Sequence, residues 1–210
     1  MDKVKWQQPI DKLAPVVKEA HMKLRASDRA VIADRSGATI DRQGDLRMEF
    51  LRREYVIDHA KWTVTRADDG ASPPPLTQSL ILTYLYTSDG TPPIDRWIGF
   101  RELPNGLFYA QAFQGYTGAE LVRDLNGDVA AFKAASEKLS GAALAIGDAG
   151  YVFQMLPRLK LAAVMWAGDD EFPSQAQVLF QETAPHYLMT EGLAIAGSLL
   201  IGQIVKAVKA

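Results

Sequence analysis

The spacing of apolar residues changes along the first half of the chain. Between Ile10 and Arg25 they recur every three or four residues, which predicts an amphipathic helix. From Ala38 to Arg66 apolar and charged residues alternate, and this period of two predicts an antiparallel meander with one solvated face. Helical spacing returns at 76–87 and predicts a buried helix.

The second half of the chain mixes strand-like and helix-like segments. Trp97–Arg101 and 108–113 are predicted to be strands on either side of a turn at Pro104–Gly106. A final helix is predicted from Thr190 to Val208, because Thr190 is suited to cap its first turn. The other predicted elements are helices at 117–126, 128–139 and 183–188, and strands at 143–153, 159–166 and 176–180.

Together these elements predict an α+β fold in a single domain that spans residues 1–210. We expect a largely antiparallel or mixed sheet with flanking helices and a C-terminal apolar helix. Residues 1–29 are predicted to form an N-terminal helical segment of this domain. The Pro-rich stretch at 67–75 is predicted to be a loop and not a domain boundary, because the residues that follow it continue the same core.

Composition excludes several classes of function. The 210 residues are 48% hydrophobic and carry a formal net charge of −2, without the strong basic excess of a nucleic-acid-binding protein. The absence of cysteine excludes thiolate chemistry, Cys-based zinc sites and any iron–sulfur cluster held by this chain. The common dinucleotide, P-loop, zincin and EF-hand motifs are also missing.

The ends of the chain carry no evident targeting signal. The first nine residues lack the apolar stretch of a signal peptide. The apolar tract at Leu193–Val205 is shorter than the roughly 20 residues of a membrane span. We therefore expect a cytoplasmic protein that binds neither membrane nor nucleic acid.

The segment Trp97–Gly106 is the densest in candidate chemistry. Strand alternation would place Trp97 and Arg101 on one face, with Gly99 between them. Arginine can bind a carboxylate or phosphate through two hydrogen bonds, and glycine lets a ligand approach the backbone. The alternative is structural, with Arg101 in an internal salt bridge to Asp169 or Glu171.

Two further groups could bind metal. Asp169 and Asp170 begin an acidic turn, and hard cations such as Mg²⁺ prefer such carboxylate oxygens, although acidic turns between strands are commonly just solvated. His186 lies among aromatic and apolar residues, with Met189 three residues further on. It could serve as an axial ligand to haem iron or corrinoid cobalt, or it could be a half-buried histidine without such a role.

Several ordered motifs resemble those of an uncharacterised prokaryotic family, the DUF3786 domain. The resemblance runs from Ala30 to the C-terminus. It is carried by Leu82–Leu85, Trp97–Gly106, Gly141, Gly147–Ala149, Leu156–Leu159, Trp166, Asp169–Pro173, Val178–Phe180 and Tyr187–Glu191.

This resemblance implies a biological setting. The family is typical of anaerobic bacteria and archaea, and its longer members carry a Cys-rich iron–sulfur segment. The resemblance also implies an association with corrinoid and one-carbon metabolism. Because the present chain has no cysteine, it could only bind the cofactor itself or a partner that supplies the cluster.

Our leading hypothesis is an accessory cofactor-binding protein of anaerobic metabolism, with a corrinoid, haem or other tetrapyrrole as ligand and without evident catalysis. Ligand pockets are mostly apolar with a few placed polar groups. The candidate ligand-binding residues fit that description and are Trp97, Phe100, Arg101, Glu102, Trp166, Glu171, Phe172, His186 and Tyr187.

Two other hypotheses stay open. The first is a metal-dependent hydrolase or lyase that uses carboxylates, and its candidate residues are Glu102, Asp148, Asp169, Asp170 and Glu171. The second is an interaction module that docks on an iron–sulfur or corrinoid protein partner, for which an exposed apolar patch would be the sign.

Overall fold

The computed structural model describes residues 10–209, with side chains from residue 14 onward. The contacts divide these residues into two compact units. The first unit comprises 10–93, 155–159 and 183–192, and the second comprises 94–154, 160–182 and 193–209. Both contain helices and antiparallel strands, which confirms the α+β class. The single domain over 1–210 stays a prediction, and residues 1–9 of the N-terminal segment lie outside the described residues.

The first unit contains three helices, α1 (Ile10–Arg25), α2 (Arg29–Ser36) and α3 (Pro75–Thr87), and α3 packs against both of the others. α1 and α3 were predicted. α2 was not, although polar residues lie at both of its ends. They are caps: the Asp28 carboxylate accepts the backbone N–H of Ala30, and Gly37 ends the helix at φ +75°.

The four-stranded sheet of the first unit is the predicted antiparallel meander. Its strands are β1 (Thr39–Ile40), β2 (Leu46–Phe50), β3 (Arg53–Ile57) and β4 (Val64–Arg66), paired in that order. In β2 the residues Leu46, Met48 and Phe50 are buried, as the alternation predicts. The hairpin between β2 and β3 turns through Leu51 and Arg52, both at positive φ.

The second unit is built on a five-stranded sheet. Its strands are β5 (Trp97–Gly99), β6 (Ala142–Ala143), β7 (Ala149–Leu156), β8 (Leu159–Trp166) and β9 (Gln175–Gln181), in the order β5-β9-β8-β7-β6. Residues 155–159, where β7 and β8 meet, group with the first unit. The single strand predicted at 143–153 is two strands in the structure, β6 and β7, which are separated by residues 144–148.

One face of this sheet packs against helices. The helices of the second unit are α4 (Ala110–Tyr116), α5 (Gly118–Leu125), α6 (Val129–Lys138) and most of α7 (Thr190–Lys209). α5 lies so close to β9 that a Cβ at Gly118 would come within 2.0 Å of the Ala176 carbonyl oxygen. Only glycine permits this approach between helix and strand.

The segment after Trp97 departs most from the sequence-based expectation. The strand ends at Gly99, and Phe100–Glu102 form a 3₁₀ helix that takes Phe100 into the core. The predicted strand at 108–113 is wrong: Gly106–Tyr109 form a second 3₁₀ helix, which runs into α4. Short apolar runs do not distinguish strand from helix by periodicity alone, and Ala and Gln in this run are good helix formers.

Two predictions near the C-terminus need adjustment. The helix expected at 183–188 is a single 3₁₀ turn, Ala184–His186. α7 has the length and composition of a membrane-spanning helix, but 39% of its most apolar stretch is buried inside the protein. Because the core helix of a soluble protein has the same properties, α7 bears neither way on localisation.

Candidate functional site

An imidazole supported by a carboxylate lies at the surface of the first unit. Nδ1 of His186 is 2.7 Å from Oδ2 of Asp89, and both side chains are about half exposed. An ionised carboxylate can only accept a hydrogen bond, so Nδ1 carries the proton that joins the two groups. The neutral imidazole then has its lone pair on Nε2, the nitrogen that a metal ion or an acidic proton would use.

Backbone contacts hold Asp89 in place. Its other oxygen accepts the backbone N–H of Thr91 at 2.9 Å, and its own N–H donates to the His186 carbonyl oxygen at 3.3 Å. The Thr91 hydroxyl oxygen is 3.1 Å from Nδ1. The His186 imidazole, followed by the Thr91 N–H, lowers the pKa of Asp89 to about 2, so this carboxylate is ionised at neutral pH.

Tyr187, the next residue, fixes the backbone beneath the imidazole. Its side chain is fully buried and stacks on Tyr84 of α3, with ring centroids 6.1 Å apart. Its hydroxyl donates to the Thr91 carbonyl oxygen. The Tyr84 hydroxyl in turn donates to the Ser36 carbonyl oxygen at 2.5 Å and accepts the Arg158 N–H at 3.0 Å. Residues from four separate segments thus position the 3₁₀ turn that carries His186.

A second histidine in the first unit forms a similar pair in different surroundings. Nδ1 of His59 is 2.8 Å from Oδ1 of Asp45. This histidine lines a cleft of about 330 Å³ together with Arg25 and Arg29, whose positive charges would repel a metal cation. The cleft floor includes Trp62, which is buried at a φ of +58°.

The predicted tryptophans lie on one face of the sheet in the second unit, at opposite ends of β9. Trp97 and Trp166 are partly buried and pack around the same small apolar centre on the five-stranded sheet, formed by Ala162, Val164 and Leu179. Phe100 is not beside them, because its ring is 6% exposed and stacks on Phe113 in the core. The strand alternation predicted for Trp97–Arg101 stops at Gly99, where β5 ends, so it does not apply to Phe100.

The two charged residues of the same motif have different environments. Glu102 accepts the backbone N–H of Gly99 at 2.7 Å, which is a local structural contact. Arg101 is exposed, and in the described part of the chain no ion pair joins it to Asp169 or Glu171. The predicted internal salt bridge is therefore not formed, and the Arg101 guanidinium faces solvent.

The carboxylates proposed for metal-dependent hydrolysis serve backbone contacts or face solvent. Asp148 accepts the backbone N–H of Ala167 at 2.8 Å. Asp169 accepts those of Glu171 and Phe172, which lower its pKa, and so it caps its own turn. Asp170, Glu171 and Phe172 are exposed. Among the described side chains, residues 14–209, no three histidine or acidic groups are arranged so that they could hold a metal ion.

Three strongly exposed apolar residues of the second unit follow the Trp97–Gly106 motif directly. Leu107, Phe108 and Tyr109, which we call the apolar tip, are 61%, 84% and 58% exposed. Large apolar side chains are seldom left in water in succession, so this patch is the sign that the docking hypothesis requires. The sequence did not reveal the tip, because these residues were expected to begin a strand.

Sequence reasoning also missed Asp89 and Thr91. They lie in the Ser88–Pro93 segment, which directly follows the helix predicted at 76–87. An aspartate before Gly90 is a common turn residue, and nothing local distinguishes it from one that supports a histidine 97 positions away.

The fold and this site define the chain as an α+β protein with two antiparallel sheets and a surface histidine supported by a carboxylate. It belongs to the family described as a domain of unknown function, DUF3786, whose model matches residues 28–203. The match confirms the resemblance seen in the sequence. No curated protein and no solved structure shows significant similarity to the chain.

Proposed function

We propose that this protein binds a metal-containing tetrapyrrole, a corrinoid or a haem, with His186 as the axial ligand. Its role would be that of an accessory protein in anaerobic prokaryotic metabolism. The observation that carries the proposal is the 2.7 Å contact between Nδ1 of His186 and Asp89, which leaves Nε2 to bind a metal. A tetrapyrrole supplies the other metal ligands itself, so one protein histidine is sufficient.

The carboxylate of Asp89 favours a metal-binding role for His186 over the role of an ordinary surface histidine. A histidine that ligates a metal commonly donates its other ring N–H to a carboxylate, which fixes the tautomer and raises the basicity of the ligating nitrogen. Asp89 is suited to this function because its pKa of about 2 keeps it ionised. The rigid backbone under Tyr187 keeps the imidazole in one orientation.

The surroundings of His186 also suit a planar apolar ligand. Met189, three residues further on, is 54% exposed, and Pro92 and Pro93 beside Thr91 are exposed. Cofactor sites are mostly apolar around a few polar groups. The His59 pair lacks this setting because Arg25 and Arg29 line its cleft, which makes His59 the natural control.

The test is an anaerobic titration of the purified protein with hydroxocobalamin and, separately, with haemin, followed by absorption spectroscopy. We expect one of the two to show a histidine-ligated spectrum with the wild type and with His59→Ala, but not with His186→Ala. Asp89→Asn is expected to weaken binding by roughly 10–100-fold, the usual effect of removing such a supporting carboxylate.

Two results would overturn the proposal. One is the absence of any band shift with either cofactor. The other is a wild-type spectrum in His186→Ala, which would place the bound metal elsewhere. Thermal unfolding of each variant without cofactor checks that lost binding is not lost folding; surface substitutions of this kind usually change stability by less than about 0.5 kcal/mol.

A second candidate function is favoured by the apolar tip. The protein would then be a module that docks on a redox partner carrying the iron–sulfur cluster that this Cys-free chain cannot hold. Phe108 and Tyr109 are rigid aromatic residues, a type enriched at protein interfaces. The exposed guanidinium of Arg101, seven residues before Phe108, favours a partner surface with acidic groups.

This second candidate is tested by a photo-crosslinking amino acid at position 108 in cells of the native host. Position 172 is the matched control, because Phe172 is also an exposed phenylalanine, at 62% against 84%. We expect position 108 to crosslink one iron–sulfur protein that position 172 does not. Crosslinks that are absent, or the same from both positions, would contradict docking through the tip.

A further inference from the structure

A groove on the first unit has the size and lining of a small-molecule site. It has a volume of about 470 Å³ and runs along α1, with two residues from the start of α3 in its wall. This volume is inside the roughly 300–1,000 Å³ range of known ligand sites. The groove shares no residue with the His186 cluster.

The spacing of the lining residues shows that one face of α1 forms the groove. Ala14, Lys18, His21 and Arg25 follow one another at four-, three- and four-residue steps, which places them along a single stripe. The residues that anchor α1 in the protein, among them Ala20 and Leu24, lie on another side of the helix and are fully buried. The stripe that lines the groove is therefore on a side of α1 that does not anchor the helix in the protein, and this side is partly apolar.

Part of the lining is apolar. Val17 is partly buried, Met22 is 60% exposed, and Pro75 contributes from the first turn of α3. Methionine is flexible and polarizable, and it adapts to bound apolar groups better than branched side chains do. The groove can thus accept a hydrocarbon chain without rearrangement of the backbone.

The polar part of the lining is positively charged. None of the eight lining residues is acidic, and both Lys18 and Arg25 are exposed without a salt bridge to any described residue. Nε2 of His21 is buried and forms no hydrogen bond with the residues that the structure describes. Buried polar atoms normally have a partner, so this nitrogen is a group that a bound ligand could satisfy after a small side-chain rotation.

From these features we infer that the groove binds an amphiphile with one hydrocarbon chain and an anionic head group. The chain lies against Val17, Met22 and Pro75, and the head group pairs with Lys18 or Arg25. A carboxylate and a phosphate share this chemistry, and the guanidinium of Arg25 can bind either of them through two hydrogen bonds. An acidic amphipathic helix of another protein is the competing occupant.

The probes are dodecanoate and dodecyl phosphate, used below their critical micelle concentrations and followed by calorimetry and by NMR of ¹³C-labelled methionine methyl groups. We expect at least one probe to bind and to shift the Met22 methyl signal. Acetate, inorganic phosphate and dodecyltrimethylammonium lack either the chain or the negative charge, so they should not bind. The comparison of the two anionic probes distinguishes a carboxylate from a phosphate preference.

Charge reversal identifies the head-group site. The double variant Lys18→Glu/Arg25→Glu is expected to weaken binding by about tenfold or more, equivalent to about 1.4 kcal/mol. Lys23→Glu is the matched control, because Lys23 is exposed on the same helix but does not line the groove, and it should leave affinity within about twofold.

Several outcomes would overturn the inference. They are no binding of either anionic probe, equal binding of dodecyltrimethylammonium, or equal weakening by Lys23→Glu and by the double variant. Tight binding of an acidic amphipathic peptide, with no binding of either probe, would assign the groove to a protein partner instead. Circular dichroism of the double variant separates loss of the head-group site from loss of α1.

Discussion

Replacing Gly106 by alanine is expected to lower the free energy of unfolding by about 3 kcal/mol or more, in the upper range for overpacked sites. A Cβ at this position would lie 1.9 Å from the carbonyl oxygen of Phe100 and 3.1 Å from its carbonyl carbon. Both are backbone atoms of the preceding 3₁₀ helix, so no side-chain rotation can relieve the overlap. The Leu103 N–H also donates to this carbonyl oxygen, which restrains its movement.

The matched control for this substitution lies a few residues further on. Gly115 is inside α4, and no heavy atom comes within 4 Å of a Cβ built there. Gly115→Ala should therefore raise stability by up to about 1 kcal/mol, the usual gain in helix propensity. Urea or thermal unfolding of the two variants measures the contrast. Equal stability of Gly106→Ala and Gly115→Ala would show that the loop adapts and that the close approach is not required.

The same substitution bears on the apolar tip. Asn105 adopts φ +60°, and Gly106 then brings the chain back against Phe100 before Leu107 begins to point outward. The tip is thus presented by a tightly packed turn rather than by a loose loop. If Gly106→Ala folds at reduced temperature, we expect its crosslinking through position 108 to be lost along with the turn.

The elements that sequence periodicity predicted have a clear apolar pattern of their own. α1 and the meander from Ala38 to Arg66 each have one apolar side, whereas α3 is apolar along its length and is buried at seven successive residues, Ser79–Leu85. Trp97–Tyr109 could not be assigned in this way. Its aromatic residues fit strand alternation equally well, and the core contacts that Phe100 makes with Phe113 and Phe180 after the chain turns at Gly99 are not visible in the sequence.

The candidate site was predicted in part. His186 and Tyr187 were singled out by their aromatic and apolar neighbours, and the structure places them in one rigid cluster. The carboxylate beside His186 could not be found, because the sequence does not reveal which turn residues return to the same place in the fold. Trp97 and Trp166 pack against the same apolar centre, but they lie at opposite ends of β9, beside Gln181 and Gln175, and the long-range strand pairing that places them there is equally hidden in the sequence.

The core of the second unit depends on three aromatic rings from three different elements. Phe100 from the 3₁₀ helix stacks on Phe113 from α4 with centroids 4.1 Å apart, and Phe180 from β9 lies 5.9 Å and 5.7 Å from those two rings. Phe180 is fully buried, and its strand pairs with both β5 and β8. Removing this ring therefore weakens the contact between the sheet, the Trp97–Gly106 motif and α4 together.

Phe180→Ala is accordingly expected to cost about 3–5 kcal/mol in free energy of unfolding, the typical range for deleting a buried phenylalanine ring. Its melting temperature should fall by about 2–4 °C for each kcal/mol lost in a chain of this size. Phe172→Ala removes the same ring from an exposed position, where the side chain is 62% exposed, and should change stability by less than about 0.5 kcal/mol. Similar losses of unfolding free energy in the two variants would contradict the role of the Phe180 ring in stabilising the core. The same chemical change would then have the same effect in the core and in water.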